Sequence, residues 1–322
     1  MQIMTIDNFY FVFQQTLYIA IPLLMISIGG LFSERSGVIN IGLEGIMVFG
    51  SFFGIGTMFL LGDVITGQTL YVIAGLAAAL SGIILSSVHA FASINMNADQ
   101  TISGTAINIF APAFTVFLAR TMYHVKEIPV KGSFLIRKVP ILGDIPVIGQ
   151  MFFQKVYLST LIGIIILAVT VFVIYKTKFG LRLRAAGENP QALDAAGISV
   201  KKIRWIGVLV SGALAGIGGL YITIPVTTAF SGTANGFGYL AIAILIFGQW
   251  KPINVFFSAL FFGFTLTISN VYTSIPFLFN AGIPGQIFNM VPYLATLIVL
   301  IFTSKRSAAP KSLGEPYDQG KR

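Results

Sequence analysis

Long apolar runs separated by short polar stretches dominate this chain. They cover residues 9–32, 37–61, 69–94, 101–121, 155–175, 205–230, 236–250, 253–271 and 286–303, nine segments in all. A helix needs about 20 predominantly apolar residues to cross a bilayer. The pattern therefore predicts an all-α, polytopic transmembrane bundle of about nine spans, with eight to ten as the range that 322 residues and short loops accommodate. One membrane domain is expected over 1–304, followed by a basic tail over 305–322.

Composition removes the other classes. Apolar residues make up 56% and charged ones 10%, whereas a soluble globular domain carries about a quarter charged residues and a disordered segment more. The absence of cysteine rules out a disulfide framework, a thiolate nucleophile and Cys-based metal sites. The net charge of +9 would suggest a nucleic-acid partner in a soluble protein, but orientation explains it here. Seven Lys or Arg lie in 176–204 and five follow Ser304, so both regions are expected on the cytoplasmic side. Alternation then puts Arg35 and Lys251 inside as well, making fourteen of the 20 basic residues, and puts Asp7 and Asp63 outside. The segment 122–154 falls outside despite Lys126, Lys131, Arg137 and Lys138. Its Pro129, Pro140 and Pro146 fit a packed cap over the external mouth, or equally a solvated connector. The first run is too long and too lightly charged for a cleaved signal peptide, so Met1 is expected to stay.

Some segments do not read as plain rods. Gly29, Gly30, Gly37, Gly42 and Gly45 crowd the first turnaround, and SGTANGFG at 231–238 precedes another apolar run. Backbone released from a helix at membrane depth must face protein or a water-filled path, so a glycine-rich approach to a short helix is a pathway candidate. Close helix packing explains the same glycines. Asn40 and Asn235 both lead into apolar helices that should run in opposite directions, which suggests an inverted repeat hinged at 176–204.

Residues 179–204 read FGLRLRAAGENPQALDAAGISVKKIR. Asn189 and Pro190 form an N-cap and first-turn pair, and Gly197 is placed to end the helix in a left-handed conformation, giving about two turns. Ala192, Ala195 and Ala196 leave a small-residue surface between basic clusters at Arg182, Arg184, Lys201, Lys202 and Arg204. Such a peg suits a groove on another protein; an ordinary loop helix beside lipid headgroups is the plainer alternative.

This segment, together with ERSGVINIGLEGIM at 34–47 and NADQTISGTAINIFA at 97–111, resembles the permease subunits of bacterial ABC importers for branched-chain amino acids, ribose and nucleosides. The resemblance runs from about residue 30 to 300 and is strongest to the shorter permease of guanosine-type nucleoside systems. It implies that the region Gly187, Glu188, Asn189, Pro190, Ala192, Ala195, Ala196 and Gly197 is a coupling helix docking on cytoplasmic ATPase subunits. It also implies a second permease, expected to be a different chain, an extracytoplasmic nucleoside-binding protein or lipoprotein, and residence in the bacterial plasma membrane.

Absences agree with a transport subunit rather than an enzyme. No G-x-x-x-x-G-K-[ST] occurs to cradle nucleotide phosphates, and no H-E-x-x-H occurs, with His89 and His124 on different segments. No nucleophile and base pair is found, and no cofactor or metal is expected. Glu44 is the deep ionisable residue, a functional candidate by its cost of burial. Four residues after Asn40, it would share a helical face with that amide and present polar groups to a sugar or purine. Alternatively it binds Arg35 or a freed backbone amide. Asn108 needs a partner, either a neighbouring helix or a passing solute. Asp99 is explained as a helix cap, and no chemistry is expected of His89. Around the second glycine-rich stretch lie Thr223, Thr227, Thr228, Asn235, Phe237 and Tyr239, hydroxyls and rings suited to a neutral base-plus-ribose solute. Rival readings are a sugar importer of the same build, a secondary transporter, which would need more buried ionisable groups, and a membrane scaffold.

Overall fold

The computed structural model describes residues 6–274 and 308–318, with a few positions between 284 and 297. Among the described residues the chain is a helical bundle whose small amount of sheet is confined to four very short strands. Seven helices in the described residues are long and apolar enough to cross a membrane: α1 (Ile6–Arg35), α2 (Leu43–Leu61), α3 (Gly67–Ala90, extended by a π turn to Asn95), α4 (Gln100–Tyr123), α6 (Leu158–Lys176), α9 (Val200–Val226) and α11 (Pro252–Val271). An eighth apolar helix, α10 (Phe237–Phe247), is too short to span. These eight correspond to the first eight apolar runs; the ninth, 286–303, falls almost wholly outside the described residues.

Between α4 and α6 lie β1 (Ile128–Pro129), β2 (Ile136–Lys138), the short α5 (Ile148–Phe152) and β3 (Gln154–Val156). β4 (Ala229–Phe230) follows α9 and pairs antiparallel with β1, while β2 pairs with β3. Two further helices, α7 (Lys178–Glu188) and α8 (Pro190–Ala195), connect α6 to α9.

Lipid tails give apolar helices no hydrophobic reason to associate, so close contact through small residues must hold them together. At the centre, α9 lies antiparallel to both α1 and α3 and packs also on α2. A Cβ on Gly50 of α2 would sit 2.3 Å from the Gly216 Cα of α9, and one on Gly82 of α3 would sit 2.1 Å from the Gly212 carbonyl oxygen. Only glycine permits that approach. α1 is enclosed by α6, α9, α10 and α11, and its middle third, Leu23, Leu24, Met25 and Ile26, is fully buried.

Several boundaries differ from the hydropathy reading, three of them instructively. The second helix starts at Leu43 rather than 37, because 36–42 is a non-helical climb; α9 begins at Val200, five residues before the apolar run; and α10 stops at Phe247. Hydropathy registers what a segment is buried in, and says nothing of how its backbone hydrogen bonds close.

Candidate functional site

Two non-helical stretches, 36–42 before α2 and 227–236 before α10, meet inside the bundle. α4 runs beside α2 in the same direction, with Gly42 against Gly104, Gly45 against Ile107 and Phe49 stacked on Phe114. The second stretch and the start of α10 pass α4 in reverse, Gly232 lying against Val116 and Tyr239 on Asn108. α2 and α10 therefore run in opposite directions away from a shared meeting point of helix N-termini.

Glu44 joins them. Its Oε1 accepts the Gly236 N–H at 2.8 Å and its Oε2 the Gly238 N–H at 2.6 Å. The first amides of a helix have no intrahelical partner and carry partial positive charge, so a carboxylate is the favoured acceptor. Of the two readings left open by the sequence, the freed amide describes the contact. Arg35 instead donates to the Trp250 carbonyl, through Nε at 3.1 Å and Nη2 at 2.9 Å. Asn40 does not share a helical face with Glu44, since α2 begins only at Leu43; its Nδ2 donates to Ser211 Oγ at 2.9 Å.

The climb from 36 to 42 leaves backbone groups that polar side chains satisfy one by one. Gln100 Oε1 accepts the Ile39 N–H at 2.7 Å, and His89 Nε2 lies 2.9 Å from the Ile39 carbonyl. A carbonyl only accepts, so Nε2 carries the proton and Nδ1 is left to accept from Ser103 Oγ at 3.0 Å. Asn108 donates to the Ile41 carbonyl at 2.9 Å and to Tyr239 Oη at 3.0 Å, and accepts the Gly45 N–H at 2.8 Å. Asn108 thus ties the first stretch, the start of α2 and the first turn of α10 to α4. The roles of Gln100 and His89 as partners of the Ile39 backbone were not legible in the sequence. Their signal is a polar residue in an apolar helix beside a glycine-rich stretch.

The second stretch bends through two left-handed residues, Asn235 (φ 53°) and Gly236 (φ 81°), before α10 starts. Above that bend a cleft is lined by Thr223, Thr227, Ser231, Thr233, Asn235 and Phe237, with Ile222, Val226, Ala229 and Ala234 between them. Four residues named from the sequence, Thr223, Thr227, Asn235 and Phe237, come together here; Asn40 and Glu44 lie below, among the supports. Thr223 Oγ1 donates to the Gly219 carbonyl and faces Ser51 Oγ at 3.2 Å, whereas Thr227 Oγ1 donates to the Thr223 carbonyl at 2.9 Å. Ser231, Thr233, Asn235 and Tyr239 are exposed on the face that α4 shares.

At the opposite end, Asn189 Oδ1 accepts the Ala192 N–H at 3.0 Å and Gly197 has φ 76°, so α8 has the cap and stop its sequence predicts. The preceding residues form the helix α7 rather than loop. Ala192, Ala195, Ala196 and Gly197 are exposed, as are Glu188 and Asn189, while Gly187 and Pro190 are buried and serve the attachment of α8 to the bundle. The segment 122–157 is packed in its first half: Ile128 and Phe134 are buried, and Phe134 lies on Tyr71. Its second half lies against the start of α1, where Gln14 Nε2 donates to the Gln150 carbonyl.

The profile of a family described as "Branched-chain amino acid transport system / permease component" matches residues 12–300. The chain belongs to this permease family. It is 42% identical to the guanosine ABC transporter permease protein NupQ of Bacillus subtilis over 95% of its own length and 96% of that protein's. The nucleoside ABC transporter permease protein NupC of Lactococcus lactis is 40% identical over 93% of this chain and 94% of its own length. A putative glucose ABC transporter permease of Haloferax volcanii, TsgC13, is 28% identical over 94% of the chain and 96% of its own. No solved structure matches. The permease is a multi-pass membrane protein, and the resemblance read from three motifs extends across nearly all of it.

Proposed function

We propose that this permease forms the translocation path for nucleosides in an ATP-driven importer of the bacterial plasma membrane. The observation that carries the reading is the cleft beside the meeting point of α2 and α10. Among the described residues its lining offers hydroxyls, one amide and one aromatic ring, and no charged side chain. The cleft's own free volume is about 10 Å³, room for a water and not for a nucleoside, so these groups form one wall of a path that is completed outside the cleft. Along that wall a neutral base-plus-ribose solute would meet hydrogen-bonding groups and a stacking face, whereas a zwitterionic amino acid would leave its two charges unpaired. The identity to guanosine and nucleoside permeases supports the same solute class.

The exposed polar residues Ser231, Thr233, Asn235 and Tyr239 would be costly against lipid, so a second permease subunit covers them and the path runs along that contact. Asn108, Thr223, Thr227, Asn235 and Phe237 face the solute, with Asn40 and Glu44 holding the lead-in segments. The exposed alanines of α8 and Gly197 dock on a cytoplasmic ABC ATPase, which hydrolyses the ATP; an extracytoplasmic binding protein or lipoprotein delivers the solute. The test is uptake of labelled guanosine, uridine, ribose and leucine into cells lacking this chain, with and without its restoration. Restored guanosine or uridine uptake that excess ribose does not compete away is expected. Return of ribose or leucine uptake instead would overturn the substrate assignment and keep the architecture.

A further inference from the structure

The C-terminal residues 308–318 do not hang free beneath the bundle. They thread between α7, the climb 36–42, the start of α9 and the turn after α10. Ala308 N–H donates to Gln249 Oε1 at 2.9 Å. Pro310 packs on Gly187, where a Cβ would come within 3.0 Å of the Pro310 Cβ and 2.5 Å of the Arg35 carbonyl oxygen. Ser312 N–H then donates to the Gly187 carbonyl at 2.8 Å, and Gly314 N–H to the Gly37 carbonyl at 3.1 Å. Arg204 Nη1 donates to the Glu315 carbonyl at 2.9 Å, and Tyr317, only 7% exposed, packs into the main core.

These contacts join two places that matter to the transport reading. Gly187 sits in the last turn of α7, immediately before the docking helix α8, and its carbonyl is among those that a helix end leaves without an intrahelical partner. Gly37 opens the climb that holds Asn40 and leads into Glu44 of α2. Two amides of one short segment satisfy both carbonyls, so the docking arm and the lead-in of α2 are bonded to a common piece of backbone. Arg204 keeps that piece in place. It is 1% exposed, its Nε and Nη2 have no hydrogen-bond partner among the described residues, and its bond to Glu315 would be lost if the segment left. Departure of the segment would break this bond together with the backbone bonds at Gly37 and Gly187.

We propose that 308–318 is a strap that carries displacement of the α7–α8 arm to the lead-in of α2, with Tyr317 and Arg204 as its positioning residues. The inference rests on the importer reading above. The complete importer, purified with its cognate ATPase, is reconstituted in vesicles, and uptake of labelled guanosine is measured together with ATP hydrolysis. For Tyr317→Ala, the ATPase is expected to stay bound and hydrolysis to remain within about twofold of the unaltered complex, while guanosine carried per ATP falls about tenfold or more. Should Tyr317→Ala not assemble, Ser312→Pro, which removes one strap amide and leaves the buried ring, is measured the same way. An unchanged ratio of uptake to hydrolysis, or loss of ATPase binding in both variants, would overturn the strap. Absence of ATP-dependent uptake by the unaltered complex is a separate result, sinking the transport reading and the strap with it.

Discussion

Replacing Glu44 by Gln separates two roles that a buried carboxylate in a transporter can have. Its two oxygens hold the amides of Gly236 and Gly238 at 2.8 and 2.6 Å. Gln keeps one acceptor and turns an N–H toward the other amide, so one buried donor loses its partner at a cost of about 1–3 kcal/mol. Removal of the negative charge from a helix N-terminus adds roughly 0.3–2 kcal/mol. The sum is roughly 1–5 kcal/mol, which for a chain of this size lowers the midpoint of thermal unfolding in detergent by about 2–8 °C. Because the carboxylate faces backbone and not the cleft, KM for guanosine in the molecules that remain folded should change little. A midpoint within about 1 °C of the unaltered protein, with KM raised about tenfold, would refute this account and make Glu44 a solute contact.

Three further outcomes follow from particular contacts. Ala196→Arg, at an exposed position of α8, should leave the inserted, folded protein intact and abolish uptake by blocking the ATPase groove; normal uptake by this variant would remove α8 from the docking role. Gly216→Val brings atoms into the space where a Cβ would already lie 2.2 Å from the Ala78 carbonyl oxygen; overpacking of at least about 3 kcal/mol should eliminate monodisperse protein in size-exclusion chromatography. Asp63→Asn removes the exposed ion pair with Lys131, whose Nζ lies 3.1 Å from Asp63 Oδ2. It should shift stability by less than about 1 kcal/mol, so a large fall in unfolding midpoint would mean that the pair does more than its exposure allows.

Much of this architecture is written in local composition. Eight of the nine apolar runs lie on described helices, because a crossing must be apolar over its whole length whatever its neighbours are. The cap and stop of α8 were equally legible, since Asn189 bonds an amide three residues away and Gly197 needs only its own left-handed φ. The glycine clusters marked both places where helix is interrupted. Partners were beyond reach. Glu44 could have met Arg35, a solute or a freed amide, and only the approach of residues nearly two hundred positions away made it the acceptor for the first turn of α10. Likewise 308–318 reads only as part of the basic tail 305–322, and its strap-like course depends on carbonyls at Gly37 and Gly187 whose need of a partner no local pattern reveals. Composition and spacing determined what is buried in the membrane and where helices start, stop or break, because those depend on solvent and on neighbours a few residues away. Tertiary structure alone decided which side chain satisfies each backbone group left open by those breaks, because hydrogen bonds between distant segments depend on how the whole bundle closes.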